Sequence, residues 1–397
     1  MKRVVVVGAS LAGLATARAL RAEGYDGELF VVGEEPHRPY DRPPLSKQFL
    51  AAEHGPADLS LEAEGEDLGI RWVLGTRAVG LADHAVLLDD GDALTFDGLV
   101  VATGARARDD LPGAYLPGVY LLRTVDDAVA LREGLRRGAD VVVVGAGFIG
   151  SEVASTARLL GCHVTLVVAG DAPLRAALGQ FAGAVAELHD RNRVDVLTGG
   201  RVAEVRRDDA RLVVHLADGR RVPADTVVLG IGSVPAVSWL HGSGIRIGDG
   251  VLCDAAGATS LPDVVAVGDC SAWFDPALGR HHRVEHWTSA RDRGAIAART
   301  LLSDGLAEAR PQRPPYLWSD IHGSRIQIAG HTQLADSVTV EAGSVAEGSF
   351  VAVYRRGDEP VAVLGIDQPK QFMAVRRRLV AVPARLSTEA CVQGVPT

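Results

Sequence analysis

Cysteine is scarce in this chain: four among 397 residues, at positions 162, 253, 270 and 391. No two stand at the CxxC or CxxxxC spacing of a redox disulfide or a zinc knuckle. A thiol relay on neighbouring cysteines and a cysteine-held iron–sulfur cluster are both excluded, and Cys162, Cys253, Cys270 and Cys391 read as small buried hydrophobes. Long apolar runs are missing too. The valine runs are strand-length and meet glycine at once, so no bilayer-spanning segment is expected. Positive charge is in deficit: 41 Lys and Arg stand against 50 Asp and Glu, a formal charge of −9, and no global basic field invites nucleic acid. The basic start of MKRVVVVGAS fits a strand and turn better than a signal peptide, and no clear cleavage site follows. A cytoplasmic protein is expected. The length suits two or three domains, and 47% hydrophobic with 23% charged residues is globular.

What the chain has in quantity is valine before glycine, and it has the phrase VVVVGA twice, at 4–9 and 141–146. In the first copy Val4–Val7 suit a strand buried on both faces of a parallel sheet. Gly8-x-Ser10-x-x-Gly13 follows, then an alanine- and leucine-rich helix closing at Gly24, then the strand GELFVVG ending at Glu34 and Glu35. Strand, glycine turn, helix, strand and acid form the dinucleotide-binding fingerprint. The pyrophosphate must approach backbone N–H groups at a helix N-terminus, and the acid accepts ribose hydroxyls. Ser10 fills the middle glycine slot; it is small and can donate to phosphate. The second copy has the full set, Gly145-x-Gly147-x-x-Gly150, then the helix SEVASTARLLG and the strand CHVTLVV. That strand ends in Val168 where a carboxylate is expected, and Asp171 comes three residues later. Two cradles imply two dinucleotides, FAD held permanently and NAD(P)H visiting. An internal duplication with one working site is the bland alternative.

The segment EEPHRPYDRPPLSKQFL (34–50) is too rich in proline for regular structure, yet carries Arg42 and Lys47 at fixed spacing. Here the chain resembles the FAD-dependent reductases that feed small iron–sulfur proteins: the putidaredoxin, rubredoxin and oxygenase-coupled ferredoxin reductases. The resemblance covers essentially the whole chain. VVATGARAR (100–108), with Ala102, Thr103 and Gly104, is similar to the family's segment along FAD. Arg123 falls in its flavin-contacting arginine slot, and Gly232 in VVLGIGSVPA lies where the nicotinamide cofactor passes. Asp269 in DVVAVGDC resembles the aspartate that holds the ribityl chain. Trp287 in VEHWTSARDRG and Trp318 in PYLWSDIHGSRIQIAG fall near the flavin, and Phe148 and Ile149 complete the expected cofactor contacts. Ile321, His322 and Gly323 depart from the family's usual run.

The resemblance implies an α/β fold with two Rossmann-like domains and a small α+β C-terminal domain. FAD is expected on residues 1–112 and 235–312, NAD(P)H on an inserted 113–234, and the last domain at 313–397, after the linker QRPPY and with a final helix around 371–380. It also implies hydride transfer from NAD(P)H to FAD and single-electron delivery to a separate [2Fe-2S] ferredoxin-like protein serving a P450 or oxygenase. Lys47 beside the flavin, paired with Glu152, is expected to act electrostatically rather than as acid or base. NADH is expected to lead, with NADPH possible because Val168 replaces the acid. An acidic ferredoxin would meet a local basic face, from Arg280, Arg283, Arg291 and Arg293 or from Arg376 to Arg378. A monomer or weak dimer is expected. An NADH oxidase or quinone reductase without a protein partner, and a redox-sensing protein like apoptosis-inducing factor, stay open as alternatives. Metal ligation is not expected.

Overall fold

A strand of four valines has no polar face and is stable only where both faces are covered. The computed structural model describes residues 1–209, 211–303 and 313–379 and places both valine runs in that position. Arg3–Val7 lies at the centre of a five-stranded parallel sheet ordered Val264–Ala266, Gly98–Val101, Arg3–Val7, Glu28–Gly33, Ile70–Leu74. Asp140–Val144 is the centre of a second, ordered Val194–Leu197, His163–Val167, Asp140–Val144, Thr226–Leu229, Val119–Leu121. The repetition extends to single bonds. Gly8 N–H donates to the Val32 carbonyl at 2.8 Å, and Gly145 N–H to the Val167 carbonyl at 2.9 Å.

The first sheet takes strands from either side of the second in sequence. The chain leaves and returns along a short antiparallel ladder, Ala105–Ala107 with Ser233–Pro235. The first cradle helix, Leu11–Ala22, buries Ala12, Gly13, Thr16, Ala17 and Leu20, one face at helical spacing. It lies against the helix Trp287–Leu302, where Gly294 lets the backbones meet: a Cβ there would stand 3.0 Å from the Thr16 nitrogen. The second cradle helix is Phe148–Leu159.

The C-terminal sheet is antiparallel, ordered Tyr316–Ile321, Ser324–Gly330, Glu359–Ile366, Ser349–Arg356, Ser337–Ser344. Tyr316–Ile321 is a strand the sequence hides, because YLWSDI lacks clean alternation. It is specified by its turn instead. His322 and Gly323 both have positive φ, +51° and +82°, the conformation of a two-residue type I′ hairpin loop. The departure at 321–323 is thus a hairpin turn. The closing helix runs Pro369–Arg376, shorter than expected; Val380, Cys391 and Gln312 of the proline-rich linker lie outside the described residues. Cys162, Cys253 and Cys270 are buried free thiols, as expected. Among the described residues, no helix is long and apolar enough to cross a membrane.

Candidate functional site

Four cradle glycines hold strand to helix. A Cβ on Gly8 (φ +126°) would stand 2.0 Å from the Ala102 oxygen, and one on Gly13 2.0 Å from the Gly8 oxygen. The second cradle repeats this, Gly145 against the Gly230 oxygen at 2.3 Å and Gly150 against the Gly145 oxygen at 1.9 Å. Gly147 is different: nothing lies within 4 Å of its Cβ position. It occupies the N-cap of its helix in extended conformation, as Ser10 does in the first cradle, and neither provides a side-chain cap. Neither helix has an acid in its first turn. Both N-termini therefore keep uncapped amides and an uncompensated dipole, which is what a bridging pyrophosphate requires. These residues fit FAD and a nicotinamide dinucleotide.

The proline-rich segment bridges the two cradles. It is not wholly irregular: Pro43–Ser46 forms a single 3₁₀ turn, which tolerates proline at its start because those N–H groups would lack a helical partner anyway. Before this turn, Arg42 donates to Glu35 (2.5 Å), to the Arg123 carbonyl (2.6 Å) and, at 3.4 Å, toward the Ser10 hydroxyl of the first cradle. Tyr40 donates to the other Glu35 oxygen and accepts the Val125 N–H. Arg123 reaches on to Asp269 at 2.7 Å. Glu35 is thus turned inward. Glu34 stands at the end of its strand, 72% exposed, with Arg77 at 3.9 Å.

Beyond the turn, Lys47 Nζ lies 2.8 Å from Glu152 Oε2 on the second cradle helix, the side chains 12% and 7% exposed. Ser46 donates to that same Glu152 oxygen, and Ser319 of the C-terminal sheet donates to Oε1 at 2.6 Å. Thr156 ties the Ser46 carbonyl at 2.8 Å. One carboxylate thus gathers three donors from two distant parts of the chain. Ser46 was visible beside Lys47 in PLSK, but no motif marks it as a ligand of Glu152. Ser319 has no sequence signal at all.

The remaining expected residues fall around this bridge. Thr103 donates to the Ala236 carbonyl at 2.7 Å, and Gly104 and Gly232 have φ of +68° and +112°. Trp287 donates to Asp41 at 2.7 Å and meets Trp318 edge-on at 6.1 Å, with Tyr316 stacked on Trp318 at 5.8 Å. Ile149 is 42% exposed beside Gly147, whereas Phe148 packs against the C-terminal sheet's core. Val168 is buried, and Asp171 forks with Arg175 at 2.6–2.8 Å on the surface.

Two of the arginines expected on a docking face are otherwise engaged. Arg293 is 7% exposed and lies over the Trp273 ring, because the helix face it shares with Ala290, Gly294 and Ala297 is the buried one. Arg283 is held by Asp249 and Glu285. Arg291, paired with its neighbour Asp292 at 2.8 Å, and Arg376 stack on Trp287 (5.2 Å) and Tyr316 (3.8 Å) at the edge of the aromatic cluster.

Buried histidines set an acid limit. Burial pushes His286 down to about 4, and its buried Nδ1 has no partner among the described residues. Burial, with His322 beside it, pushes His189 to about 3, and burial with the Arg158 guanidinium nearby pushes His322 to about 4. Folded pKa values below the unfolded 6.5 mean the unfolded chain binds more protons in between, so this stability is present above about pH 6.5 and is lost as pH falls. The thermal midpoint should fall between about pH 6.5 and 5, above the ordinary carboxylate range. A flat profile there would contradict neutral buried imidazoles.

Residues 2–294 match the family model described as pyridine nucleotide-disulphide oxidoreductase, and residues 316–394 the one described as reductase C-terminal. The chain is 38% identical over 393 residues to the biphenyl dioxygenase system ferredoxin–NAD(+) reductase component of Paraburkholderia xenovorans (strain LB400), covering 97% of this chain and 95% of that protein. It is similar to a chain of the covalent putidaredoxin reductase–putidaredoxin complex, with a TM-score of 0.89, 31% identity and 95% and 93% of the two chains covered. It is also similar to the ferredoxin reductase for the CYP199A2 system from Rhodopseudomonas palustris, with a TM-score of 0.86, 33% identity and coverage of 92% and 91%. A family named for disulphide chemistry here contains a member with no cysteine in the segment 34–50 that joins its two cradles. With both dinucleotide cradles and the reductase C-terminal domain in place, the chain belongs to the pyridine nucleotide-disulphide oxidoreductase family, in its branch of FAD-dependent ferredoxin reductases.

Proposed function

We propose that this protein takes hydride from NAD(P)H and passes electrons singly to a small [2Fe-2S] ferredoxin that serves an oxygenase or a cytochrome P450. The bridge between the cradles carries this reading: Arg42 reaches Ser10 of one, and Lys47, five residues on, pairs with Glu152 of the other. FAD, when bound, supplies the conversion of a two-electron donor into one-electron steps. The chain supplies alignment and charge. Lys47 holds a fixed ammonium where the two cofactors would meet and stabilises negative charge as it accumulates there. Glu152 positions that ammonium, and Ser46 and Ser319 position Glu152. Arg291 and Arg376, seated on the Trp287–Trp318–Tyr316 cluster, are the cations best placed to meet an acidic partner.

Anaerobic mixing tests this directly. NADH should bleach the flavin absorbance, and added [2Fe-2S] ferredoxin should restore it by accepting the electrons. Recovery no faster than in buffer alone would overturn the proposal.

NADH is the favoured donor. No carboxylate ends the second cradle's strand, but Arg175, the cation nearest in sequence, is already clasped by Asp171 and is a poor 2′-phosphate ligand. Restoring the acid with Val168→Glu should sharpen the NADH over NADPH ratio of kcat/KM by about tenfold, the worth of one charge-assisted hydrogen bond. An unchanged ratio would place the ribose reader elsewhere.

A further inference from the structure

Away from the cradles, three ligand-type side chains converge where the C-terminal domain meets the strand pair Ser271–Asp275 and Arg280–Arg283. Asp275 Oδ2 lies 3.3 Å from His331 Nε2 and 3.9 Å from His282 Nδ1, and the three atoms lie within 4.8 Å of one another. We propose that Asp275, His282 and His331 form a binding site for a divalent transition metal, zinc by preference, that straps the C-terminal domain to the rest of the molecule.

The local structure builds this cluster. Asp275 pairs with Arg280 and Trp273 with His282 in the antiparallel register, so Asp275 and His282 are diagonal neighbours on one face. Asp275 Oδ1 is occupied by the backbone amides of Ala277 (2.9 Å) and Leu278 (3.4 Å), which fixes the carboxylate and leaves Oδ2 turned to the histidines. His331 arrives from the other domain directly after Gly330, whose φ of +87° swings the chain off its strand.

One of the three ligand atoms has no partner without an ion. His282 Nδ1 is buried and makes no hydrogen bond among the described residues. The His331–Asp275 approach is at 3.3 Å and the His282–Asp275 approach longer, at 3.9 Å, in a place where Asp275 and His331 are only 11% and 10% exposed. The Asp275–His331 separation is already that of donor atoms around a shared centre. Metal–ligand distances of about 2.0–2.2 Å put tetrahedral ligands roughly 3.3–3.5 Å apart, so only His282 needs to move appreciably. Its ring, 28% exposed, gives the ion a route in.

The donor set selects the metal. Two imidazoles and one carboxylate suit zinc and its neighbours rather than magnesium or calcium. Arg293, buried near the same carboxylate, repels any dication, so the imidazole bonds must carry the affinity. The occupied site would anchor the turn that follows Ser324–Gly330, the strand paired with the one carrying Trp318 and Ser319.

Equilibrium dialysis of the full-length FAD-loaded protein against zinc at neutral pH, with emission spectrometry, tests this. One zinc per chain is expected, with magnesium unable to compete. His282→Ala and His331→Ala should each weaken retention by more than about tenfold, whereas His281→Ala, from the same strand but packed on Phe274, should not. Flavin absorbance checks that each variant is folded. Zinc should also raise the wild-type thermal midpoint, a measurement that needs no variant. Wild-type protein that retains no zinc and shows no thermal shift overturns the site, as does equal retention by both variants.

Discussion

Replacing Glu152 by alanine should destabilise the protein by about 3–5 kcal/mol, the range for a buried ion pair that loses one partner. Lys47 is 12% exposed and has Glu152 at 2.8 Å, so its ammonium would be left buried without a countercharge. The Ser46 and Ser319 hydroxyls would lose their acceptor in the same step. Glu152→Gln separates charge from shape. The amide oxygen can still accept from a serine, so the stability loss should be smaller, but the ammonium would no longer be held by charge. Stopped-flow reduction of the flavin by NADH should then slow by roughly tenfold to a hundredfold, as when one preorganised electrostatic group is lost. Denaturant melts and stopped flow read the two effects separately. Wild-type stability in Glu152→Ala would show that the pair is exposed in solution.

The second large effect is a contrast between neighbouring glycines. Gly150→Ala would drive a methyl group to 1.9 Å from the Gly145 oxygen, a backbone atom that cannot turn aside. A loss on the order of 3 kcal/mol or more is expected, at the upper end for overpacking. Gly147→Ala meets nothing within 4 Å and should change stability by less than about 0.5 kcal/mol. Its methyl group would, however, stand at the helix N-cap, where a bound pyrophosphate would have to approach if the proposed cradle is right. The KM for NADH should rise by about tenfold or more while flavin content is unchanged. A destabilised Gly147→Ala, or one with an unaltered KM, would mean that this opening is not the dinucleotide cradle.

Both cradles were legible in the sequence because they are local. Valine run, glycine turn and alanine-rich helix are specified within some thirty residues, and their periodicities do not depend on the rest of the fold. What was not legible is what distance in the chain conceals. Ser319 meets Glu152 across 167 positions, and nothing in WSDI announces a buried hydroxyl. Glu34 and Glu35 are adjacent acids at a strand end; only the fold decides that Glu35 turns in to Arg42 and Tyr40. Arg293 looked like a surface cation, but its helix face packs inward over Trp273. The strand Tyr316–Ile321 was hidden because its register is set by the His322–Gly323 turn rather than by alternation.

The most direct test is steady-state reduction of cytochrome c by NADH, with and without an added [2Fe-2S] ferredoxin. The proposed function predicts that ferredoxin raises the rate by more than tenfold, roughly the advantage of a steered, specific encounter, and that added salt lowers it. Fast turnover of a quinone or dioxygen without any protein partner, unaffected by ferredoxin, would contradict it.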